Sequence, residues 1–154
     1  MKRIVTQELE RVSRWVAEQC GAVGYTGGRQ TIGLEQDGEL VAGVVYDNWN
    51  RASIHAQIAV LPGVWPTREF LRLGFAYPFL QLRCNKLLGF VGSGNLAARK
   101  LDEHLGFVLE ATLEAAHPDG SLLVYSMTPE QCRWLPRNTL KEPSNVLSRR
   151  TPAS

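Results

Sequence analysis

Asn95 opens the segment Asn95-Leu96-Ala97-Ala98-Arg99-Lys100-Leu101-Asp102-Glu103-His104-Leu105-Gly106-Phe107, whose residue types could receive a polar ligand at a helix start. Its carboxamide can cap the first turn, beside unpaired backbone N–H groups and the positive end of the helix dipole. Gly106 supplies a left-handed stop, and Phe107 opens the next strand. Leu101 and Leu105 form an apolar stripe, with Arg99, Lys100, Asp102 and Glu103 mainly on the other sides. His55 is a second candidate, because imidazole changes charge near neutral pH. It alternates with Gln57 and Ala59 on one face of a strand, opposite Ile54, Ala56, Ile58 and Val60. If that face lines a groove, His55 can exchange a proton there; otherwise it is an exposed strand histidine. His104 and His117 read as helix-surface and turn residues. The three histidines show no metal-ligand spacing, so no metal is expected.

These residues need a scaffold, and 154 residues suffice for one domain with a full core. Hydrophobic content of 44% and charged content of 21% are ordinary for a globular protein. A net charge of +2 is too small to argue for a nucleic-acid partner. Cys20, Cys84 and Cys132 are odd in number and far apart, which fits a reducing cytoplasm and buried filler. No apolar run approaches membrane-spanning length, so neither a membrane span nor a membrane partner is expected.

Patterning predicts the order β-α-β-β-β-α-β-α-β-β with a short terminal helix. Met1–Val5 reads as a strand, and Thr6 caps a helix to Cys20 with the stripe Leu9, Val12, Val16 and Cys20. A glycine-rich loop follows. Thr31–Glu35 and Leu40–Tyr46 flank the hairpin signal Asp37-Gly38, and Ser53–Leu61 is the next strand. A helix from Thr67 to Leu82 carries the stripe Phe70, Leu73, Tyr77 and Leu80, widened by Leu71, Phe75 and Phe79 and bent near Pro78. Lys86–Val91, Phe107–Ala116 and Leu122–Met127 complete the strands. Thr128-Pro129-Glu130-Gln131 has the form of a capping box. Residues 136–154 read as a mobile basic tail, leaving a domain over 1–135. Hairpins at both ends and crossovers in the middle imply an α+β (mixed αβ) domain with a mixed antiparallel and parallel sheet flanked by helices.

The strand–Asn95–helix–Leu105-Gly106-Phe107–strand unit resembles the signature of the GNAT superfamily of acyl-CoA-dependent N-acetyltransferases. Along residues 1 to about 128 the chain looks nearest the branch of ribosomal-protein N-terminal acetyltransferases and small phage or prophage relatives. The resemblance implies splayed central strands and acetyl-CoA as cosubstrate, its pantetheine arm pairing with backbone near Ile58, Ala59, Val60 and Leu61. An N–H at Val60 or Leu61 would stabilise the oxyanion. Thr67 and Arg68 would bind phosphate, although the family's glycine-rich loop is replaced by Gly63-Val64-Trp65-Pro66. Asn95 would hold the pantetheine arm and Arg99 a phosphate. The family's acidic tyrosine is replaced by Asp102, an ordinary surface aspartate being ionised and a poor donor. Water, Ser93 or Tyr125 would protonate the thiolate, and His55 would be the base.

The implied function is transfer of an acetyl group to a primary amine by direct attack on the thioester. The acceptor is a protein N-terminus or a small molecule, with Asp47 and Glu35 as acidic groups for a cationic one. The oligomeric state is open, a homodimer included. The alternative is a noncatalytic acyl-CoA-binding or protein-interaction module, favoured by the altered loop and missing tyrosine. A basic tail that touches nucleic acid is a third reading.

Overall fold

The computed structural model describes residues 1–22, 25 and 28–136. Part of the glycine-rich loop and nearly all of the expected tail lie outside the described residues. The elements are β1 (Lys2–Val5), α1 (Leu9–Cys20), β2 (Gln30–Gln36), β3 (Glu39–Asp47), β4 (Ser53–Val60), α2 (Arg68–Ala76), β5 (Lys86–Gly92), α3 (Leu96–Leu105), β6 (Val108–His117) and β7 (Gly120–Met127). A π-helical turn, Tyr77–Gln81, extends α2, and a single 3-10 turn, Pro129–Gln131, follows β7. The strands form one sheet in the order β1-β2-β3-β4-β5-β7-β6. Every neighbouring pair is antiparallel except β4 and β5, which run parallel. This is the expected mixed α+β domain. Among the described residues no helix is long and apolar enough to cross a membrane.

Local chemistry explains the main elements. Asp37 and Gly38 both have positive φ, 54° and 86°, as a tight hairpin turn between β2 and β3 demands. On one face of the sheet, Val12 and Val16 of α1 pack with Val5, Leu40, Val45 and Ala59. Gly33 and Gly43 permit that approach: a Cβ on Gly43 would stand 2.9 Å from Val16 Cγ2. The opposite face carries α2 and α3, whose Phe70, Leu71, Phe75 and Leu105 pack on Tyr46, Ile54 and Leu87. Asn95 and Thr67 cap α3 and α2 through Ala98 N–H and Phe70 N–H, both at 3.1 Å. Thr128 and Gln131 close the expected capping box. At the far edge, β6 pairs only with β7 and its register slips twice, between Leu109 and Ala111 and between Leu113 and His117.

Two expectations are corrected. Thr6 does not cap α1; the cap position is Glu8, whose side chain turns to Arg11 at 3.0 Å instead. Of the apolar face expected on α2 and the turn after it, Phe70, Leu71, Phe75 and Phe79 are buried, but Leu73 is 39% exposed. Pro78 has no N–H to continue the α pattern, and the turn widens so that Leu82 N–H reaches Tyr77 O at 3.0 Å. Because α1 rests on bare glycine backbone, Gly43→Val should destabilise the fold by roughly 1–3 kcal/mol, read as a lowered denaturation midpoint with α1 displaced.

Candidate active site

The parallel ladder between β4 and β5 ends after three residue pairs, Ser53–Lys86, Ile54–Leu87 and His55–Leu88. Each strand continues on its outer side, β4 with β3 to the Ala42–Val60 pair and β5 with β7 to Gly92–Leu122. The two strands therefore diverge. Leu61 N–H donates to Val41 O at 2.9 Å, toward β3. By strand alternation the N–H groups of Ala56, Ile58 and Val60 point the other way, toward β5. A cavity of about 480 Å³ occupies the gap. It is lined from both faces of the sheet, by Cys20 at the end of α1 and by Asn95, Ala98 and Asp102 of α3. His117 at the β6–β7 turn closes one end, and its ring lies so near Gly92 that a Cβ there would stand 2.5 Å away.

Asp102 departs most from expectation. It is not a surface aspartate: it is 8% exposed and lines the cavity. Gly89 of β5 makes the room, since a Cβ at that position would be 3.4 Å from Asp102 Oδ2. Burial, aided by the nearby Glu103 charge, pushes the Asp102 carboxyl up to about 7. The group thus carries a proton up to neutrality and can donate it. Cys20, on the opposite wall, is pushed up to about 11 by burial and then by the charge of Asp102. It stays a thiol and a weak nucleophile.

The other sequence candidates divide. Asn95 reaches the cavity while also capping α3, its Oδ1 taken by Ala98 N–H. The β4 wall is Ala56, Gln57 and Ile58; Ala59, Val60 and Leu61 continue past it, and the Leu61 N–H is committed to β3. Arg99 turns back to Ser93 O at 3.3 Å and does not line the cavity. Tyr125 is wholly buried and donates to Glu103 Oε2 at 2.7 Å, also outside the lining. His55 lies beside the gap on β4, its Nδ1 2.9 Å from Asp47 Oδ1. Phe90 covers the imidazole, with ring centroids 4.6 Å apart, and Nε2 is buried without a partner.

Thr67 and Arg68 lie elsewhere. Arg68 joins Arg72, Arg133 and Trp134 around a separate cavity of about 240 Å³. The preceding Trp65 packs on His104 at 4.8 Å and on Trp134 at 6.4 Å. Glu35 is no acceptor site: Arg11 and Arg3 bind it and hold its carboxyl below the usual carboxylate range. His117 is more than a turn residue, since it lines the cavity. Asp102 and His117 were legible only through their partners, Gly89 and Gly92, distant in sequence. Among the described residues no cluster of His, Cys, Asp or Glu could hold a metal ion.

The fold is shared with N-acetyltransferases of known structure. The chain is similar to spermidine N-acetyltransferase SpeG from Vibrio cholerae, with 18% identity and a TM-score of 0.65 over 89% of this chain and 98% of that one. A complex of that enzyme with CoA and spermine gives 16% identity and a TM-score of 0.64, covering 84% and 96% of the two chains. A dodecameric form gives 17% and 0.60, covering 82% and 93%. At these identities the likeness is one of fold. No protein-family model matches the chain, and no curated protein does.

The raised Asp102 carboxyl has a consequence for stability. The native state keeps its proton while the unfolded chain loses its own near pH 4, so stability falls as pH rises from about 4 to about 7 and is then level. Asp102→Asn should remove that decline and raise the melting temperature at pH 8, by up to the equivalent of about 4 kcal/mol. Parallel melting curves for the two proteins between pH 4 and 8 would refute the buried carboxyl.

Proposed function

We propose that this chain is an acetyl-CoA-dependent N-acetyltransferase acting on a primary amine, with the thioester held between β4 and β5. The observation that carries this reading is the early end of the parallel ladder, which leaves backbone facing a cavity of about 480 Å³. That volume lies within the range of small-molecule sites. The residues present fit the cosubstrate. Ile58 and Val60 offer strand backbone to an amide-bearing arm, which can bind as an added strand. The Asn95 Oδ1 is engaged as a cap, and its NH2 group remains to donate. Arg68, Arg72 and Arg133 share one pocket with no ion-paired carboxylate among the described residues, and they suit phosphate.

Acetyl-CoA, when bound, supplies an activated acyl carbon. The Ile58 N–H is directed at the gap and can stabilise negative charge on a carbonyl oxygen there. Asp102 holds a proton at the cavity wall and can release it to a departing sulfur. Cys20 remains a thiol, so the amine attacks directly. The Asp47 carboxylate orients His55 as the Nδ1–H tautomer and leaves Nε2 to accept a proton when Phe90 turns aside. Tyr125 is left with a structural role through Glu103. One observation favours the alternative, a noncatalytic module: Trp65, in the segment that replaces the family's glycine-rich loop, is packed on His104 and Trp134. The ribosomal-protein branch rests on the sequence alone.

Acetyl-CoA titration and an amine-acetylation assay test the proposal together. Asp102→Asn should lower kcat by about 10²–10⁴-fold with acetyl-CoA affinity nearly unchanged. The parent's rate should fall above about pH 7, where Asp102 loses its proton. Binding with no turnover on any amine would leave the noncatalytic module. In a second experiment, Asn95→Asp keeps the helix cap but removes the amide donor. It should weaken acetyl-CoA binding by roughly 3–10-fold at an unchanged melting temperature; equal affinities would remove Asn95 from the cosubstrate site.

A further inference from the structure

We propose, building on the acetyl-transfer reading, that the acceptor is a monoamine carried on an apolar alkyl or aromatic body, and not a polyamine. The cavity passes through the sheet, joining α3 residues on one face to Cys20 and Phe90 on the other. On that second face α1 packs against β2, β3 and β4. The described helices leave Phe90, Val108 and Leu113 of the remaining half exposed, at 40%, 49% and 47%. Register puts Phe90, Val124 and Ala111 in one row across this half, and Gly92, Leu122 and Leu113 in the next. Opposed residues of antiparallel strands point to the same face, so Phe90, Val124 and Ala111 form an apolar floor that Leu122 and Leu113 extend, while the His117 ring covers Gly92. Phe90 belongs to both the cavity wall and the floor. An amine whose nitrogen enters the gap therefore lays its body over Val124 and Ala111.

The carboxyls around the gap agree. A polyamine carries several ammonium groups along its length, and each loses water beside an apolar surface unless a carboxylate receives it. Asp47 is held by His55 at 2.9 Å, and Glu103 accepts the Tyr125 hydroxyl at 2.7 Å. Glu110, at the outer rim, binds Lys86 Nζ at 2.7 Å. Asp119 stands at the mouth, 3.7 Å from His117. Asp102, facing the interior, keeps its proton, so Asp119 is the carboxylate of the cavity lining left to meet an ammonium. One such carboxylate at the mouth and an apolar floor beside it match one nitrogen on an apolar tail.

Isothermal titration of the full chain with phenethylamine and with spermidine decides the matter, run beside an acetyl-CoA titration. Phenethylamine should bind at least about 10-fold tighter than spermidine, since its ring and ethyl group bury apolar area that a polyamine's charges forbid. Phe90→Ala should weaken phenethylamine by about 10-fold. Ala111→Lys, on the exposed edge strand, should do the same by placing a cation on the floor, with acetyl-CoA affinity unchanged. Equal or tighter spermidine binding overturns the inference, as does insensitivity of phenethylamine to both substitutions. A chain that binds acetyl-CoA but neither amine overturns it too and leaves acetyl transfer to other acceptors, peptide N-termini among them. A chain that binds phenethylamine in this way but not acetyl-CoA sustains the amine site and sinks the transfer reading instead.

Discussion

The structure turns on a ladder of hydrogen bonds that stops short. Backbone N–H and C=O groups inside a protein need partners, and a parallel pair would ordinarily continue until both strands end. Here β4 stays with β3 and is clamped by α1 through Ala59, while β5 follows β7. The sheet divides into two halves that share only His55–Leu88 and the two pairs before it. Everything with chemical potential borders that division. Cys20 comes from one half, and Asp102 and Asn95 from the helix of the other.

Burial decides which of these groups can do what. An aspartate on α3 has the same covalent chemistry wherever it points, but over Gly89 it is dry enough to keep its proton near neutrality. The same dryness makes the opposing Cys20 inert. His55 is the contrasting case. It is well oriented by Asp47 yet shielded by Phe90, so its use depends on a side chain moving.

The fold was largely written in local patterns. Asp37-Gly38, Asn95, Gly106 and Thr128 set turns and helix ends through contacts within a few residues, and such signals survive in a linear reading. Alternation in Ser53–Val60 likewise announced a strand with His55 and Gln57 on one face. The site was less legible because it depends on pairs far apart in the chain. Nothing near Asp102 says that Gly89 will lie beneath it, and nothing near Gly92 names His117. On α2 periodicity found the buried Phe70, Leu71, Phe75 and Phe79 but also took in Leu73, which is exposed. The phosphate candidate Arg68 borders a separate cavity with Arg72 and with Arg133, which is distant in the chain.

The outer strand β6 ends the sheet with an open row of donors and acceptors, a form that invites other chains to add themselves. Its two register slips break the regular spacing that a visiting strand would have to match, and Ala115 adds a left-handed residue at φ 60°. Glu114 places negative charge along the same border, where Glu110 is paired with Lys86. Fibril-like stacking through this margin is thereby discouraged, and copies of the protein can crowd together without zipping into an extended sheet.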